Sequence, residues 1–221
     1  MLYTYQYPHP AVAADACLFT VQEAKLKILL IRRGQEPYKG DWALPGGFVN
    51  IDESLEQAVQ RELEEETGAS GFFFEQLEAF GQVDRDPRER VISVAYVALA
   101  PAEHVKLKAD SDASEAAWFA IDSLPDLAFD HATMVSRAVQ RVRAKLEDSR
   151  VAFEFLPKAF TVSDLQQVYE AFQGAAIDKR NFRKWLAAQD LIEPTGKKRS
   201  GPHRPAELFR LKAKKRRTKL K

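Results

Sequence analysis

Apolar residues in the first half of the chain fall into short runs, several of which alternate with polar positions. Runs of this length and pattern are typical of β-strands, and polar turns separate them. The second run is apolar enough to be a central strand of a sheet. The predicted strands are residues 11–19, 26–31, 72–83, 90–99 and 116–121.

A helical period follows the second run. Ser54 stands three residues before Gln57, which is the spacing of a capping box at a helix start, and Gly68 is a natural C-terminal stop. At about 100° per residue, one side of this helix is apolar and should face a core. The residues on that side are Leu55, Ala58, Val59 and Leu63.

Three glutamates of this helix do not join its polar side. Glu62, Glu65 and Glu66 instead continue the direction of the apolar side. Their spacing brings like charges together, and partial burial raises the cost of keeping them charged. A solvated acidic helix end would account for the neighbouring Glu64 but not for these three. A hard divalent cation, Mg²⁺ or Mn²⁺, would offset the repulsion because such ions prefer oxygen ligands.

The glutamates belong to a longer pattern with fixed spacing, which Leu44-Pro45-Gly46 precedes. Its members are Gly47, Glu53, Arg61, Glu62, Glu65, Glu66 and Gly68, followed by the small apolar Ala69. Each of these positions matches the Nudix box, so about residues 10 to 147 resemble the Nudix hydrolases. That resemblance implies an α+β fold, the Nudix α/β/α sandwich with a mixed sheet.

The resemblance also implies roles for the residues of the box. The three glutamates would hold the metal ions with a backbone carbonyl near Gly47, and Arg61 would pair with Glu53 to brace the loop. Hydrolases of this family cleave nucleoside diphosphates linked to another moiety, by attack of a metal-activated water on phosphorus. The predicted catalytic residues are Glu53, Arg61, Glu62, Glu65 and Glu66, and the predicted metal ligands are Gly47, Glu62, Glu65 and Glu66.

Residues outside the box are candidates for binding the substrate. Arg32 and Arg33 end the second strand, and either they form a surface pair or one of them contacts a substrate phosphate. Tyr38, in the loop that follows, can stack on a base or pack against the core. In this family the catalytic base often lies outside the box, and Glu89, in the polar loop before the fourth strand, is a secondary candidate for that role.

A later helix is predicted from about residue 131 to residue 147, and Asp130 can cap it. The Phe129-Asp130-His131 sequence at its start resembles the ligand-pocket side of a Nudix subgroup that carries DNA-binding domains. Phe129 and His131 are therefore candidates for binding a ligand, although His131 can equally be an ordinary residue of a helix start.

Composition indicates the setting in which the chain works. The chain has 221 residues, which is room for one large domain or two small ones. No apolar run approaches the roughly 18 residues of a membrane span, and the N-terminus lacks the basic and apolar regions of a signal peptide. The single cysteine, Cys17, lies in an apolar stretch, as a small buried residue in a reducing compartment does. We therefore expect a cytoplasmic protein.

Charge divides the chain near residue 150. Residues 1–150 carry 16 Lys and Arg against 25 Asp and Glu, whereas residues 151–221 carry 17 against 7. A split of this kind indicates two domains with different partners. We predict a Nudix domain over residues 1–150, a second domain over residues 151–211 and a basic tail over residues 212–221.

The basic part has the pattern of a helix-turn-helix. Thr161 and Asp164 form a second capping box, before a helix that Gly174 ends, and another helix is predicted over residues 178–189. In this second helix Phe182, Trp185 and Leu186 should face inward, and Arg180, Arg183 and Lys184 outward.

Two short apolar strands follow, residues 191–194 and 208–211, with a basic loop rich in glycine and proline between them. This hairpin would be the wing of a winged helix. Solubility is a weaker explanation for basic groups at the two places that a winged helix presents to DNA. The predicted DNA contacts are Arg180, Arg183 and Lys184 in the major groove, and Lys197, Lys198, Arg199 and Arg204 on phosphates or in a minor groove.

The whole chain resembles a narrower group, the Nudix-related transcriptional regulators of NAD metabolism, through residues 178–183 and 193–196. Members of that group sense ADP-ribose or a related nucleotide-sugar in the Nudix domain and bind double-stranded operator DNA as homodimers. Some have a damaged box and do not hydrolyse, whereas this box is complete. Two hypotheses follow. The chain is such a regulator with retained metal-dependent pyrophosphohydrolase activity, or it is an ADP-ribose pyrophosphatase with an accessory C-terminal domain.

Overall fold

The computed structural model describes residues 4–68, 73–105, 113–146, 150–200 and 205–213. Each strand and helix predicted above is present within a few residues of its expected bounds. The strands are β1 (Ala11–Gln22), β2 (Lys25–Arg33), β3 (Trp42–Ala43), β4 (Gly46–Phe48), β5 (Phe73–Phe80), β6 (Val91–Leu99), β7 (Ala113–Ala120), β8 (Ile192–Arg199) and β9 (Ala206–Leu211). The helices are α1 (Leu55–Thr67), α2 (His131–Lys145), α3 (Val162–Gln173) and α4 (Lys179–Gln189).

Strands β1 to β7 form one mixed sheet. Its main order is β3-β2-β1-β6-β5, with β4 paired to β1 and β7 paired to β2. The β1–β6 pair is parallel, whereas β1 runs antiparallel to β2 and β4, and β5 runs antiparallel to β6. The predicted central position of the second strand is confirmed, because β2 pairs with β1, β3 and β7.

Alternate residues of β1 face two different layers. Cys17 and Phe19 belong to a buried cluster that includes α2, and Ala16 and Leu18 belong to another that includes α1. This alternation is what a strand covered by a helix on each face requires. The predicted α/β/α sandwich is therefore confirmed.

Helix α1 is fixed at both ends as its sequence predicts. Ser54 Oγ accepts the Gln57 backbone N–H at 3.2 Å, and Gln57 Oε1 accepts the Ser54 N–H at 2.7 Å. Gly68 closes the helix in the left-handed conformation, with φ 68°. These ends set the angular position of every side chain between them, including those of the Nudix-box glutamates.

The C-terminal part has the predicted winged helix-turn-helix form. Thr161 and Asp164 make the reciprocal hydrogen bonds of a capping box at the start of α3, and β8 and β9 form an antiparallel hairpin. Phe182 and Leu186 of α4 are buried as expected. Trp185 differs from the prediction, because it is 37% exposed and packs beside Tyr169 at the edge of the helix pair.

One apolar core joins this part to the sheet. The predicted second domain begins with a 3₁₀ helix, Val151–Phe155, in which Phe153 and Phe155 are buried. These side chains belong to the same buried cluster as Phe19 of β1 and Leu165 of α3, and α3 packs against β2. No helix in the described ranges is both long and apolar enough to span a membrane.

Candidate functional site

The Nudix-box glutamates differ in how deeply they lie. Glu66 is 8% exposed, and the side chain of Glu62, one turn earlier, is 13% exposed. Both border a cavity of about 330 Å³. Glu65 does not join them, because its side chain is 55% exposed and lies 3.3 Å from an Arg61 nitrogen. The predicted trio is therefore an inward pair with a third carboxylate at the rim.

Two glycines bring the backbone up to the inward pair. The Gly46 N–H donates to Glu66 Oε2 at 3.0 Å. A Cβ on Gly47 would stand 2.2 Å from Glu62 Oε1, and one on Gly46 would stand 2.4 Å from Asp15 Oδ1. A Cβ on Gly46 would also stand 2.5 Å from the Ala14 carbonyl oxygen, so this position requires glycine, whereas a side chain at Gly47 would force the Glu62 carboxylate to move.

Arg61 braces the site as predicted. Its Nε and Nη2 donate to the two carboxylate oxygens of Glu53 at 3.0 and 2.7 Å, and Nη2 also donates to the Phe48 carbonyl at 3.2 Å. These hydrogen bonds from Arg61 lower the pKa of Glu53 to about 2. Arg61 Nη1 also donates to Glu62 at 2.6 Å and to Glu65 at 3.3 Å, so one guanidinium joins Glu53 and the loop to two glutamates of α1.

The inward glutamates form an electrostatically unfavourable pair. Burial raises the pKa of Glu66 to about 8, and the neighbouring charges of Glu62 and Asp15 add to that rise. Burial also raises the pKa of Glu62, against the opposing effect of Arg61. Within the described residues no group of three acidic, histidine or cysteine side chains is arranged to hold a metal ion. The buried pair fits a divalent cation because such a charge would offset both pKa shifts, and Glu65 would have to turn inward to complete a trio.

The predicted substrate residues separate into two groups. Arg33, Phe129 and His131 border the cavity. Arg32 and Tyr38 do not, and Arg32 is instead held by the Gly40 carbonyl at 2.9 Å and lies 3.6 Å from Glu115. Tyr38 packs edge-on against Phe129, with ring centroids 4.8 Å apart. Glu89 is exposed and lies outside the cavity lining.

Two arginines and an aromatic ring also line the cavity. The guanidinium carbons of Arg33 and Arg88 lie 4.8 and 5.9 Å from the ring centroid of Phe129. Asp86 fixes Arg88 with two hydrogen bonds of 3.0 and 2.7 Å, which raise the pKa of Arg88. Burial and the charge of Arg88 lower the pKa of Arg33. Two guanidiniums and an aromatic face thus meet at one side of the pocket.

A buried polar network forms the floor. Asp15 accepts a hydrogen bond from Ser93 Oγ, and Arg85 Nη2 lies 4.0 Å from the same carboxylate. Arg85 donates to both carboxylate oxygens of Asp130 at 3.1 and 2.7 Å. The predicted side-chain cap of α2 by Asp130 is therefore wrong, since its carboxylate is occupied by Arg85 and makes no cap hydrogen bond.

Four of the residues that shape the pocket were not found from the sequence. Asp15 is the only acid in a long apolar strand, and a carboxylate in such a position was a usable signal. Arg85, Asp86 and Arg88 lie in the polar loop between β5 and β6, from which the sequence analysis had singled out only Glu89. Which of its charges would turn inward depended on packing that the sequence does not display.

The winged helix presents basic side chains, though not all where predicted. Arg180, Arg183 and Lys184 are exposed on α4. Lys197, Lys198 and Arg199 lie in strand β8 and not in the loop. Arg204, which was predicted to lie in the loop, is outside the described residues.

Two family models match the chain. The NUDIX domain model matches residues 9–138, and the model of the NrtR DNA-binding winged helix domain matches residues 152–211. The ADPR responsive transcriptional repressor NtrR of Acinetobacter baylyi is 34% identical over 209 residues, covering 92% of this chain and 83% of the repressor. This chain belongs to the NrtR family of Nudix-domain regulators.

Other relatives match one or both parts. Shewanella oneidensis NrtR, solved with a 27mer DNA, is 36% identical with a TM-score of 0.75, covering 91% of this chain and 93% of that chain. Its NUDIX domain has also been solved with ADP ribose, at 35% identity and a TM-score of 0.57, covering 62% of this NrtR-family chain and 90% of that one. The ADP-ribose pyrophosphatase of Methanocaldococcus jannaschii is 45% identical over 129 residues, covering 58% of this chain and 73% of the enzyme.

Proposed function

We propose that this NrtR-family chain is a transcriptional regulator that binds ADP-ribose or a related nucleotide-sugar in the Nudix pocket and double-stranded DNA through the winged helix. The observation that carries the proposal is the pocket itself, whose lining combines two buried glutamates with two guanidiniums. The family membership and the continuous apolar core between pocket and winged helix support it.

The chemistry of the pocket matches a diphosphate joined to a base or sugar. Arg33 and Arg88 supply positive charge for phosphate oxygens, and Phe129 supplies an aromatic face. Ionised carboxylates at Glu62 and Glu66 would repel a phosphate, and a divalent cation bound between them and the phosphate would offset that repulsion. Arg88 already has Asp86 as a charged partner, whereas Arg33 is held by the Pro37 and Gln35 carbonyls and has no ion pair with a residue that the structure describes. That unbalanced charge is why we infer an anionic ligand.

The proposed DNA surface consists of α4 and the wing. Arg180, Arg183 and Lys184 project from the helix that enters the major groove in winged-helix proteins, and Lys197 and Lys198 extend the basic surface along β8. Arg204 of the loop completes the predicted set. We infer that two copies bind as a homodimer, so that ligand binding would change the relative position of two winged helices and thereby operator affinity.

Hydrolysis is the second candidate function, because every residue of the Nudix box is present at the spacing that the family has. In that function Glu62, Glu66 and the Gly47 carbonyl would hold Mg²⁺ or Mn²⁺, with Glu65 turning inward from Arg61. The ion would supply an activated water for attack on phosphorus. Arg33 and Arg88 would hold the diphosphate during that attack, and Arg61 would keep the box loop and its glutamates in position.

One experiment tests the regulatory function. The full chain is used to select duplexes from a random-sequence library, and binding to a selected duplex is followed by fluorescence anisotropy over a salt series. ADP-ribose should change the affinity, whereas AMP and ribose 5-phosphate should act weakly. No sequence-selective binding, or binding indifferent to ADP-ribose, would reject the proposal. Release of AMP and ribose 5-phosphate from ADP-ribose with Mn²⁺, abolished in Glu65→Gln, would establish the hydrolase.

A further inference from the structure

His131 is held in a way that its sequence position did not predict. Its imidazole is buried, and Nδ1 accepts a hydrogen bond from the backbone N–H of Leu44 at 2.9 Å. A backbone N–H can only donate, so Nδ1 is unprotonated and the proton of the neutral ring lies on Nε2. That Nε2 stands 3.9 Å from Asp15 Oδ2. The Nδ1 atom is therefore occupied by a hydrogen bond within the protein.

The local chain path explains why an imidazole is needed there. Trp42 and Leu127 form a parallel bridge, and the Ala128 N–H donates to the Trp42 carbonyl at 2.8 Å. In a continued parallel ladder the next donor, the Leu44 N–H, would reach the Ala128 carbonyl. That carbonyl instead accepts the N–H of His131 at 3.3 Å, because the chain turns into α2. The side chain of His131 replaces the missing backbone acceptor.

Leu44 begins the segment that carries the two glycines of the site. The Pro45 carbonyl accepts the Ala16 N–H at 2.8 Å, and the Gly46 N–H donates to Glu66 Oε2 at 3.0 Å. Gly47 follows directly, with no space for a side chain between it and Glu62. The hydrogen bond to His131 thus fixes the first residue of a four-residue segment whose last two residues touch both inward glutamates.

We propose that His131 is a positioning residue, which aligns residues 44–47 with Glu62 and Glu66 through the Leu44 N–H and makes no contact with the nucleotide through Nδ1. The inference rests on the proposed binding of a divalent cation by those glutamates. It assigns His131 a role different from the ligand contact that its place beside Phe129 predicts.

Two substitutions separate positioning from ligand contact. His131→Asn can offer its Oδ1 where Nδ1 stood, whereas His131→Leu has similar bulk and no acceptor. Mn²⁺ binding to the nucleotide-free full chain is measured by electron paramagnetic resonance, and ADP-ribose binding in EDTA by calorimetry. Loss of an outer-sphere support typically costs 10–100-fold in metal affinity, so we expect a loss of about 10-fold or more in His131→Leu and nearly normal Mn²⁺ affinity in His131→Asn. Metal-free ADP-ribose affinity should be unchanged in both.

The opposite pattern would overturn the proposal. Equal loss of metal-free ADP-ribose binding in both variants would make His131 a ligand contact, and unchanged Mn²⁺ affinity in His131→Leu would remove the positioning role. If the wild-type chain bound no Mn²⁺, the metal part of the proposed function would fail instead. A lower melting temperature in His131→Leu with the same Mn²⁺ affinity would show a purely structural hydrogen bond.

A measurement on the wild-type chain tests the hydrogen bond without any variant. The chain has four histidines, so labelling with ¹⁵N-histidine gives few signals. The ring of His131 should show an unprotonated, hydrogen-bonded Nδ1 and a protonated Nε2, both unaffected by saturating ADP-ribose. A ring protonated on Nδ1, or an Nδ1 signal that shifts strongly when the nucleotide binds, would contradict the proposal.

Discussion

Arg199 of the wing strand is joined to Asp164 in the first turn of α3. Its Nη1 and Nη2 lie 3.1 and 2.9 Å from the two carboxylate oxygens, and the same carboxylate accepts the Thr161 N–H at 2.8 Å. Arg199 was predicted as a DNA contact, yet its guanidinium is occupied within the protein. Lys197 and Lys198 make no ion pair with any residue that the structure describes.

This difference predicts opposite effects for two neighbouring substitutions. Arg199→Ala should lower the free energy of unfolding by about 0.2–1 kcal/mol, as expected for a partly exposed ion pair. Lys197→Ala should leave stability unchanged and reduce the slope of log affinity for DNA against log salt by about 1. Urea unfolding and an anisotropy salt series measure the two quantities. If Arg199→Ala reduced the salt slope without affecting stability, Arg199 would have to leave Asp164 for a phosphate.

Arg32 and Arg33 are adjacent in sequence and give a matched pair for testing the pocket. Arg33 borders the cavity and lies over Phe129, whereas Arg32 is bound to the Gly40 carbonyl outside it. A hydrogen bond to a charged phosphate contributes about 1.5–3 kcal/mol. Arg33→Gln should therefore weaken ADP-ribose binding by roughly 10-fold or more. Arg32→Gln is the control and should bind normally in the same calorimetric titration; equal loss in both would remove Arg33 from the proposed contact set.

We predict that Arg61 affects the affinity for a metal ion more than the stability of the fold. Arg61→Lys keeps the positive charge but cannot reproduce the forked hydrogen bonds to Glu53 or the simultaneous contact with Glu62. We expect Mn²⁺ affinity to fall by roughly 10–100-fold. Arg141→Lys is the control, because Arg141 lies on α2, 3.7 Å from Glu75 and away from the cavity. A normal Mn²⁺ affinity in Arg61→Lys would show that Arg61 braces only the loop.

Local signals in the sequence were sufficient for the elements and for part of the site. The caps of α1 and α3 could be read from Ser54, Thr161 and their partners because a capping hydrogen bond spans only three residues. The pairing of Arg61 with Glu53 followed from the box pattern. A similar local reading placed the basic face of α4, since helical geometry fixes which side chains share a surface.

The sequence did not reveal how deeply a side chain is buried or which residues from distant parts of the chain it contacts. The angular position of Glu65 suggested an inward carboxylate, but angle does not determine depth, and Arg61 holds it at the rim. Asp15 and Arg85 approach each other only because β1 and the loop before β6 meet at the cavity floor. The acceptor role of His131 required knowing that the chain turns away from Leu44, which no local pattern encodes.

Glu66 should make the metal-free chain less stable as pH rises from about 5 to about 8. The loss should be clearest above about pH 6.5, because below it the buried His131, whose pKa is lowered by burial, contributes the opposite slope. Burial raises the pKa of Glu66 to about 8, whereas an unfolded glutamate titrates near 4.3. Between these values the native carboxyl keeps a proton that the unfolded chain has released, so the free energy of unfolding falls with pH. The slope that Glu66 contributes approaches about 1.4 kcal/mol per pH unit and vanishes above pH 8. Urea unfolding in EDTA at several pH values measures it.

The control for this pH dependence is Glu66→Gln. The amide cannot titrate but keeps an oxygen for the Gly46 N–H, so the difference between the two proteins isolates the Glu66 carboxyl. Saturating Mn²⁺ should reverse the trend in the wild type, because metal binding requires the ionised carboxylate and therefore strengthens as pH rises. Parallel stability profiles for wild type and Glu66→Gln in EDTA would show that Glu66 is ionised at neutral pH and that burial does not raise its pKa.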